Sequence, residues 1–356
     1  MQVIIVAPSL NPSQNVSGVS AVTQFIIDNN REQEYFHFEL GKKDNEKGGI
    51  YRIVDIIKAL FEWKTLLSRH NDAIIHYNFP LSTASILRDF LFIEIAGFKK
   101  RKVVLHIHGG NYLAATYTPK ILKLILIRIF KKNYSVIVLS DLEKELLIDK
   151  YHCKKIYSLP NCVDLTVAST VNKSGLSNKT PLVLSYLGRI AETKGMRYLL
   201  DACNILKQKQ VPFILKIAGK EEVKDQYLPL FQQSLNEQFI YSGVVSGKEK
   251  DTFLKAADIF ILPSFFEGLP MSLLECMSFG VVPVTTNVGS ICKVVHNLEN
   301  GCFIKKKNTE SIVETIEYLF THREILEKMS IEARKSIFKE FNPEIYIDKL
   351  NEIYSY

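Results

Sequence analysis

The sequence lacks the features that mark several specialised classes of protein. Its six cysteines include no C-x-x-C pair, and no His/Cys cluster has zinc-ligand spacing, so a zinc module is excluded and a reducing compartment is favoured. It contains no run of about 18 uncharged apolar residues, so no transmembrane helix is expected. The opening MQVIIVAPSL has no charged leader and predicts a first strand rather than a signal peptide. These absences predict a cytoplasmic protein.

The 356 residues have an ordinary bulk composition, 47% hydrophobic and 23% charged, which predicts a folded chain of about two domains. The net charge of +7 is uneven, because residues 1–165 hold 22 Lys and Arg against 16 Asp and Glu, and the remainder holds 23 against 22. Such a bias indicates an anionic partner, either phospholipid, nucleic acid or a phosphorylated substrate. Residues 95–140 hold no acid and nine cations: Lys99, Lys100, Arg101, Lys102, Lys120, Lys123, Arg128, Lys131 and Lys132.

The segment 119–133, PKILKLILIRIFKKN, combines a nearly continuous apolar surface with cations on one side of a helical wheel, and Pro119 suits the first helical position. It fits either a buried helix with snorkelling lysines or a helix on an anionic membrane. The acid-free surroundings agree with the second alternative. Residues 97–132 are therefore predicted to meet an anionic membrane surface, peripherally at the inner face of the cell membrane. The aliphatic helix argues against nucleic acid as the partner.

Short β-branched runs alternate with helical patterns along the whole chain. Continuous apolar runs are typical of parallel strands covered on both faces, so the sequence predicts an α/β protein with two doubly wound sheets. The polar segment 164–181 predicts a linker between domains 1–165 and 166–339, and a C-terminal helix at about 340–356 is predicted to pack back on the first domain. The predicted strands are Val3–Val6, Ala73–His76, Val103–Ile107, Val136–Leu139, Leu182–Leu187, Phe213–Ala218, Ile259–Leu262 and Val281–Thr285.

The segment 258–286 predicts a ligand site at the end of a buried strand. Glu267 follows the strand, and a helix begins near Pro270, so the glutamate lies at the sheet edge where open α/β folds bind ligands. Backbone N–H groups at the helix start can cradle a phosphate. Glu275, eight residues after Glu267, can accept two hydrogen bonds from a vicinal diol such as ribose. The cradle is predicted to comprise Gly268, Leu269, Pro270 and Met271.

The stretch PSFFEGLPMSLLECMSFG resembles the EGxPxxxxEAMAxGxPV signature of glycosyltransferase family 4, which are retaining enzymes of the GT-B fold. The resemblance implies two Rossmann-like domains facing across a cleft. It also implies that Glu267 contacts hydroxyls of the transferred sugar and acts in catalysis, and that Glu275 contacts the nucleotide ribose. Cys276 stands where the family usually has alanine, which is a small change facing the core.

A loop upstream supplies two cations suited to a diphosphate. YLGRIAETKG places Arg189 after a strand and Lys194 five residues later, and guanidinium and ammonium together can neutralise a leaving diphosphate. In isolation these would be two exposed loop cations, but the stretch matches the family's GRxxxxKG pattern, in which they hold the donor diphosphate. No Asp-x-Asp motif is present, so catalysis without metal or cofactor is expected. By the same resemblance, the backbone near Val244 is predicted to contact the nucleotide base.

The first half offers fewer signals. Ser17 and Gly18 lie where the family has a Gly-rich loop over the donor phosphate, although an ordinary turn fits the sequence too. His108 follows a buried strand, and the family has a histidine there that contacts the donor sugar; as a neutral imidazole it could donate to a sugar hydroxyl or to the departing oxygen. Asn161 is predicted to be a hinge-turn residue, and Cys162 replaces a family glycine, at a steric cost if φ is positive.

The predicted function is transfer of a sugar from a UDP- or GDP-linked donor to a glycan acceptor carried on a lipid, in bacterial surface polysaccharide synthesis such as capsule or lipopolysaccharide. Two alternatives stay open. A GT-B sugar-nucleotide 2-epimerase would release a sugar without an acceptor. A non-catalytic subunit of a glycan assembly complex would bind the nucleotide sugar without turnover.

Overall fold

The computed structural model describes residues 1–15, 17–42, 50–98, 101–115, 117–171, 173 and 175–356. The chain divides into two compact units, the first made of residues 1–161 and 343–356 and the second of residues 162–342. The chain first passes from one unit to the other after Asn161, whereas the sequence predicted this boundary after residue 165.

The first unit is built on a parallel six-stranded sheet of order β2-β1-β3-β4-β5-β6. Buried β-branched residues form the central strands, and helices cover both faces. The strands are β1 Gln2–Ala7, β2 Glu34–Glu39, β3 Ile74–Asn78, β4 Val103–His106, β5 Ser135–Val138 and β6 Ile156–Ser158. The helices are α1 Gly18–Asn29, α2 Ile50–Arg69, α3 Thr83–Ala96, α4 Asn111–Ala114, α5 Lys120–Phe130, α6 Asp141–Tyr151 and, after the second unit, α14 Pro343–Ser355.

The second unit repeats this architecture, with a parallel six-stranded sheet of order β12-β11-β10-β7-β8-β9. Its strands are β7 Leu182–Leu187, β8 Phe213–Ala218, β9 Phe239–Tyr241, β10 Ile259–Leu262, β11 Val282–Thr286 and β12 Cys302–Ile304. Its helices are α7 Thr166–Ser169, α8 Met196–Gln208, α9 Leu228–Leu235, α10 Gly247–Ala256, α11 Met271–Ser278, α12 Thr309–Thr321 and α13 Arg323–Glu340. Two doubly wound sheets, as predicted, are thus confirmed.

The sequence-based description of the strands needs four additions. All eight predicted strands are present within one or two residues of their predicted ends, but β2, β6, β9 and β12 were not predicted. These four are the edge strands of the two sheets. The helix predicted at 119–133 is shorter in the structure, where α5 has Pro119 as its N-cap residue and Lys131 as its C-cap residue.

Helices α2, α3, α5 and α6 form one layer on the first sheet, each packing against the next. Trp63 of α2 is fully buried in this layer, and its Nε1 donates to the Phe92 carbonyl of α3 at 3.0 Å. Among the residues described, no helix is both long and apolar enough to cross a bilayer.

Candidate functional site

The predicted diphosphate loop follows β7 and is held by local hydrogen bonds. The Tyr186 hydroxyl donates to the Arg189 carbonyl at 2.5 Å, which fixes the start of the loop. The Arg189 guanidinium is 45% exposed and lies 3.7 Å from the Glu222 carboxylate. Gly195 ends the loop with φ of +76°, and a Cβ there would lie 2.2 Å from the Pro263 carbonyl. Only glycine lets this loop approach the end of β10 so closely.

That approach brings Lys194 and Glu267 into contact. Phe265 N–H donates to the Thr193 carbonyl at 2.8 Å, joining the loops that follow β7 and β10. Across this junction, Lys194 Nζ donates to Glu267 Oε1 at 2.7 Å. Both side chains are mostly buried, so the charges face each other with little solvent between them. Two residues predicted separately, 73 positions apart, therefore form one ion pair.

A third loop, which was not predicted from the sequence, packs against the backbone of Glu267 and Gly268. Gly289, which follows β11, has φ of +59°, and a Cβ on it would lie 2.0 Å from the Glu267 carbonyl. Ser290 N–H donates to the Gly268 carbonyl at 3.0 Å. The sequence signal was present as a Gly-Ser pair just after an apolar strand, the position at which α/β folds bind ligands.

Helix α11 begins directly after the loop that carries Glu267. Pro270 is its N-cap residue and provides no side-chain cap, and the first intrahelical hydrogen bond runs from Leu273 N–H to the Pro270 carbonyl. The N–H groups of Met271 and Ser272 thus precede the helical ladder at the positive end of the helix dipole. Of the predicted cradle at residues 268–271, Met271 has its N–H at this position, whereas Pro270 has no N–H to donate. Leu269 is buried, so its side chain serves packing.

Glu275 lies one turn into α11 and pairs with a lysine that sequence reasoning missed. Lys250 of α10 donates from Nζ to Glu275 Oε1 at 2.7 Å. Burial opposes the charge on Lys250, but Glu275 and then Asp251 outweigh it, so the Lys250 pKa is raised. The lysine holds one carboxylate oxygen, which orients the other. No signal in the sequence pointed to Lys250, because it lies 25 positions away on a polar helix.

Val244 lies in the loop after β9 and is partly exposed. The Gly243 carbonyl accepts from Gly219 N–H at 2.7 Å, and the Tyr241 hydroxyl donates to the Gly219 carbonyl at 2.8 Å. These bonds fix the loop at the same sheet edge as the Arg189 loop.

In the first unit, Ser17 and Gly18 open helix α1. Ser17 is the N-cap residue, and its hydroxyl accepts from Ser20 N–H at 3.2 Å and from Asn15 Nδ2 at 3.0 Å. A Cβ on Gly18 would meet nothing within 4 Å, so the backbone there is open to an approaching group. The Ser17 hydroxyl is therefore occupied by hydrogen bonds within its own segment. The backbone that a ligand could approach closely is that of Gly18.

His108 lies just beyond β4, next to Asn78 at the end of β3. His108 Nε2 and Asn78 Oδ1 are 2.6 Å apart. Loss of solvent around the ring lowers the pKa of His108 to about 3, so the imidazole is neutral. His106, predicted to point to the opposite face from His108, is fully buried but lies on the same side, with the two rings 3.9 Å apart and with its Nδ1 3.1 Å from His76 Nε2. Asn78 was not predicted from the sequence.

The residues at the end of the first unit have no positive φ. Asn161 is buried and is the last residue of the first unit before the chain leaves it. Cys162 is not among the residues with positive φ, so the steric cost that the sequence raised as a possibility does not arise.

The basic segment of the first unit is less one-sided than its composition indicated. Glu94 of α3 lies just before the acid-free stretch and pairs with Arg128 at 3.2 Å and with Lys132 at 2.8 Å. Lys99 and Lys100 lie outside the described residues. Helix α5 buries Leu122 and Leu126 but leaves Ile121 and Leu124 about 70% exposed.

The exposed apolar surface extends over three adjacent helices, α2, α3 and α5. We call this the apolar face; it consists of Tyr51, Ile53, Val54, Ile57, Phe61, Leu87, Leu91, Ile121 and Leu124. Lys58, Lys64, Lys120 and Lys123 are exposed on the same helices. Exposed apolar side chains on adjacent helices are a feature of interaction surfaces, and the exposed acids Asp55 and Glu62 lie on α2 together with the lysines.

Comparison with known proteins identifies the second unit. The family model described as glycosyl transferases group 1 matches residues 169–336, which lie entirely within that unit. Residues 169–336 are thus similar to the group 1 glycosyl transferases. The Arg189 loop, the Glu267 loop and helix α11 all lie within the matched residues.

Two curated relatives extend the comparison. An uncharacterized glycosyltransferase of Haemophilus influenzae is 28% identical over 63% of this chain and 58% of its own length. The UDP-Gal:alpha-D-GlcNAc-diphosphoundecaprenol alpha-1,3-galactosyltransferase of Escherichia coli is 26% identical over 85% of this chain and 80% of its own length.

Solved structures confirm the GT-B fold over the full chain. Sucrose-phosphate synthase from Thermosynechococcus elongatus superposes with a TM-score of 0.80 at 14% identity, covering 99% of this chain and 98% of that one. HepE of Anabaena, solved in complex with UDP, has a TM-score of 0.75 at 13% identity and covers 100% of both chains.

Proposed function

We propose that this protein is a retaining, family 4-type glycosyltransferase that moves a sugar from a nucleoside diphosphate sugar to a lipid-linked glycan acceptor in bacterial surface polysaccharide synthesis. The observation that carries the proposal is the pair of ion pairs at the carboxyl edge of the second sheet. Lys194–Glu267 and Lys250–Glu275 flank the start of α11, each with a nitrogen–oxygen distance of 2.7 Å. Phosphate, sugar and ribose have separate contacts in this arrangement.

In the proposed reaction, the donor diphosphate lies between the Arg189 loop and the start of α11. Negative charge grows on the diphosphate as its bond to the sugar breaks, and Arg189, Lys194 and the helix dipole stabilise that charge. These interactions strengthen towards the transition state, so they accelerate the reaction rather than only binding the donor. The cations supply what a divalent metal would supply elsewhere, which supports the proposal that catalysis is metal-independent.

Glu267 is proposed to contact the transferred sugar. Lys194 occupies its Oε1, and the second oxygen can accept from a sugar hydroxyl. The resemblance to family 4 implies attack on the same face of the sugar that the diphosphate leaves, with the departing phosphate assisting the proton transfer. No protein nucleophile is required.

A lipid-linked acceptor is supported by two independent observations. The Escherichia coli relative is named for an acceptor on diphosphoundecaprenol. The apolar face of the first unit, with its flanking lysines, suits an anionic bilayer, in which such lipids are dissolved. We propose that the protein docks on the membrane peripherally, through α2 and α3 as well as through the predicted segment 97–132.

The donor assignment is tested by a single truncation. We expect Glu275→Ala to weaken donor binding about tenfold or more, because the ribose loses a hydrogen bond to a charged acceptor. Isothermal titration with nucleoside diphosphate sugars measures this. Glu249→Ala, an exposed acid on neighbouring α10, is the matched control. Equal donor affinity of Glu275→Ala and the unchanged protein would rule out the ribose contact.

Product analysis separates the proposed transfer from the alternatives. Donor incubated with membrane extract containing lipid-linked glycans is expected to yield a glycosylated lipid and free nucleoside diphosphate. A 2-epimerase would release sugar in the absence of any acceptor, and a non-catalytic subunit would leave the donor intact under both conditions.

A further inference from the structure

The hydrogen bonds around Asn78 determine which way its amide faces. Asn78 lies at the end of β3 and is almost fully buried. Its Nδ2 lies 2.9 Å from the Val6 carbonyl and 3.2 Å from Thr23 Oγ1. A backbone carbonyl can only accept, so the amide group that faces Val6 must be the donor, NH2. The other amide atom, Oδ1, therefore faces His108.

This orientation fixes the proton on His108. Asn78 Oδ1 can only accept, and it lies 2.6 Å from His108 Nε2, so Nε2 must carry a hydrogen. A neutral imidazole carries one N–H, and the other ring nitrogen then has a lone pair. The low pKa of His108 agrees with a neutral ring at physiological pH. Its Nδ1 has no hydrogen-bond partner among the described residues.

We propose that Asn78 is a positioning residue that holds His108 in the Nε2–H tautomer, so that Nδ1 presents a lone pair to a hydroxyl group of the substrate. The sequence suggested that His108 donates to a sugar hydroxyl or to the departing oxygen, and the Nε2–H tautomer cannot donate from Nδ1. The assigned ligand chemistry is thus a hydroxyl donor. That this hydroxyl belongs to a sugar rests on the proposed function, whereas the tautomer does not.

Several hydrogen bonds hold the Asn78 amide in this orientation, so its contact with His108 is a fixed feature of the fold. Thr23 Oγ1 accepts from Asn78 and donates to the Val19 carbonyl at 2.8 Å, so helix α1 and strand β1 both hold the amide. The ring of His108 lies 3.9 Å from that of His106, which fixes its plane. Rotation of either side chain would leave a buried polar atom without a partner.

The tautomer is measured directly by nitrogen NMR. Protein labelled with 15N-histidine gives long-range proton–nitrogen correlations that separate pyrrole-like from pyridine-like nitrogens, and His108→Gln assigns the signal among the eight histidines. We expect a pyrrole-like Nε2 and a pyridine-like Nδ1 from pH 6 to pH 8. An Nδ1–H tautomer, or a protonated ring in that range, would overturn the proposal.

Variants of Asn78 show whether it sets the tautomer. Asn78→Leu removes the acceptor, and we expect the Nδ1–H form to become populated and catalytic turnover to fall about tenfold. Asn78→Asp keeps an acceptor; we expect Nε2–H to persist, and the carboxylate to raise the pKa of His108 so that turnover gains an acid limb. The groups facing His108 that also titrate are His106 and His76.

Thr23→Val is the matched control, because it removes the longer of the two hydrogen bonds that hold the Asn78 amide, while the bond to the Val6 carbonyl still fixes its orientation towards His108. We expect it to leave the nitrogen spectrum of His108 unchanged. An unchanged spectrum in Asn78→Leu would overturn the positioning role. If no donor or acceptor gives turnover, the proposed function fails, but the nitrogen spectra still decide the role of Asn78.

The hydroxyl contact has its own test. With donor analogues in which one sugar hydroxyl is replaced by fluorine, we expect one position at which turnover falls about tenfold in the unchanged protein and not in His108→Leu. Fluorine cannot donate a hydrogen bond, so the loss reports donation to Nδ1. Equal losses at every position in both proteins would contradict the contact.

Discussion

At the scale of single residues, the two acids named by the sequence are each completed by a partner that lies far away along the chain. Glu267 and Lys194 were both predicted, but their mutual contact follows only from the junction of two loops. The partner of Glu275, Lys250, and the partner of His108, Asn78, were not predicted at all. Motif spacing identifies groups that touch ligand, and says little about the residues that orient them.

Lys250 provides a prediction about orientation. Lys250→Met removes the charge but keeps most of the aliphatic stem, leaving Glu275 free to rotate. We expect donor affinity to fall about threefold to tenfold, since a partly buried charged hydrogen bond is worth about 1 kcal/mol. Titration calorimetry measures it, with Lys248→Met on the same helix as control. Equal losses in both variants would indicate a general electrostatic effect instead.

At the scale of secondary structure, the sequence predicted the centre of each sheet and missed the margins. Central strands such as β1 and β10 are buried on both faces and are continuous apolar runs. Strand β2, EYFHFE, has one fully buried residue and a polar alternation, and β6, β9 and β12 have three residues each. Hydrophobic runs cannot identify strands that are half exposed or that short, because sheet pairing rather than sequence defines them.

The helices of the first unit also differ from the prediction, because the exposed apolar residues are not confined to α5. The charge distribution of the sequence predicted a membrane contact at α5, but the apolar face has most of its residues on α2, whose acids Asp55 and Glu62 offset the basic charge. This surface is recognised only from the solvent exposure of residues on adjacent helices, which depends on how the helices pack. Sequence periodicity predicted only α5 as part of it.

The apolar face leads to a prediction about membrane binding. We expect Phe61→Glu and Leu124→Glu each to reduce co-sedimentation with vesicles containing anionic phospholipid at least fivefold, by removing apolar burial and adding a repulsive charge. Ile331→Glu, at an exposed apolar position of α13 in the second unit, is the control and should bind normally. Unimpaired binding of both face variants would exclude this surface as the membrane contact.

At the scale of the whole molecule, the chain returns to its first unit after completing the second, and the last helix is secured there through buried polar groups. Tyr354 of α14 lies with its hydroxyl 2.5 Å from His76 Nδ1, and Asn351 accepts from Asn30 at 2.8 Å. Burial lowers the pKa of His76 to about 3. The attachment of the C-terminal helix therefore depends on a histidine that must stay neutral.

The pH dependence of stability follows from that histidine. An unfolded histidine takes up a proton near pH 6.5, whereas folded His76 does so only near pH 3, so the unfolded state binds more protons between these values. Stability is therefore greatest above pH 6.5 and falls as the pH is lowered. From pH 7 to pH 5 the contribution of His76 to this fall is about 2 kcal/mol.

Trp63, the single tryptophan, is buried in the first unit and reports its unfolding in denaturant. We expect His76→Gln, whatever its stability at pH 7, to lose about 2 kcal/mol less than the unchanged protein between pH 7 and pH 5. His296→Gln, at an exposed position of the second unit, should keep the full pH dependence. If all three proteins lose the same stability over this range, His76 does not stay neutral in the folded state, and the acid sensitivity of the first unit arises from other groups.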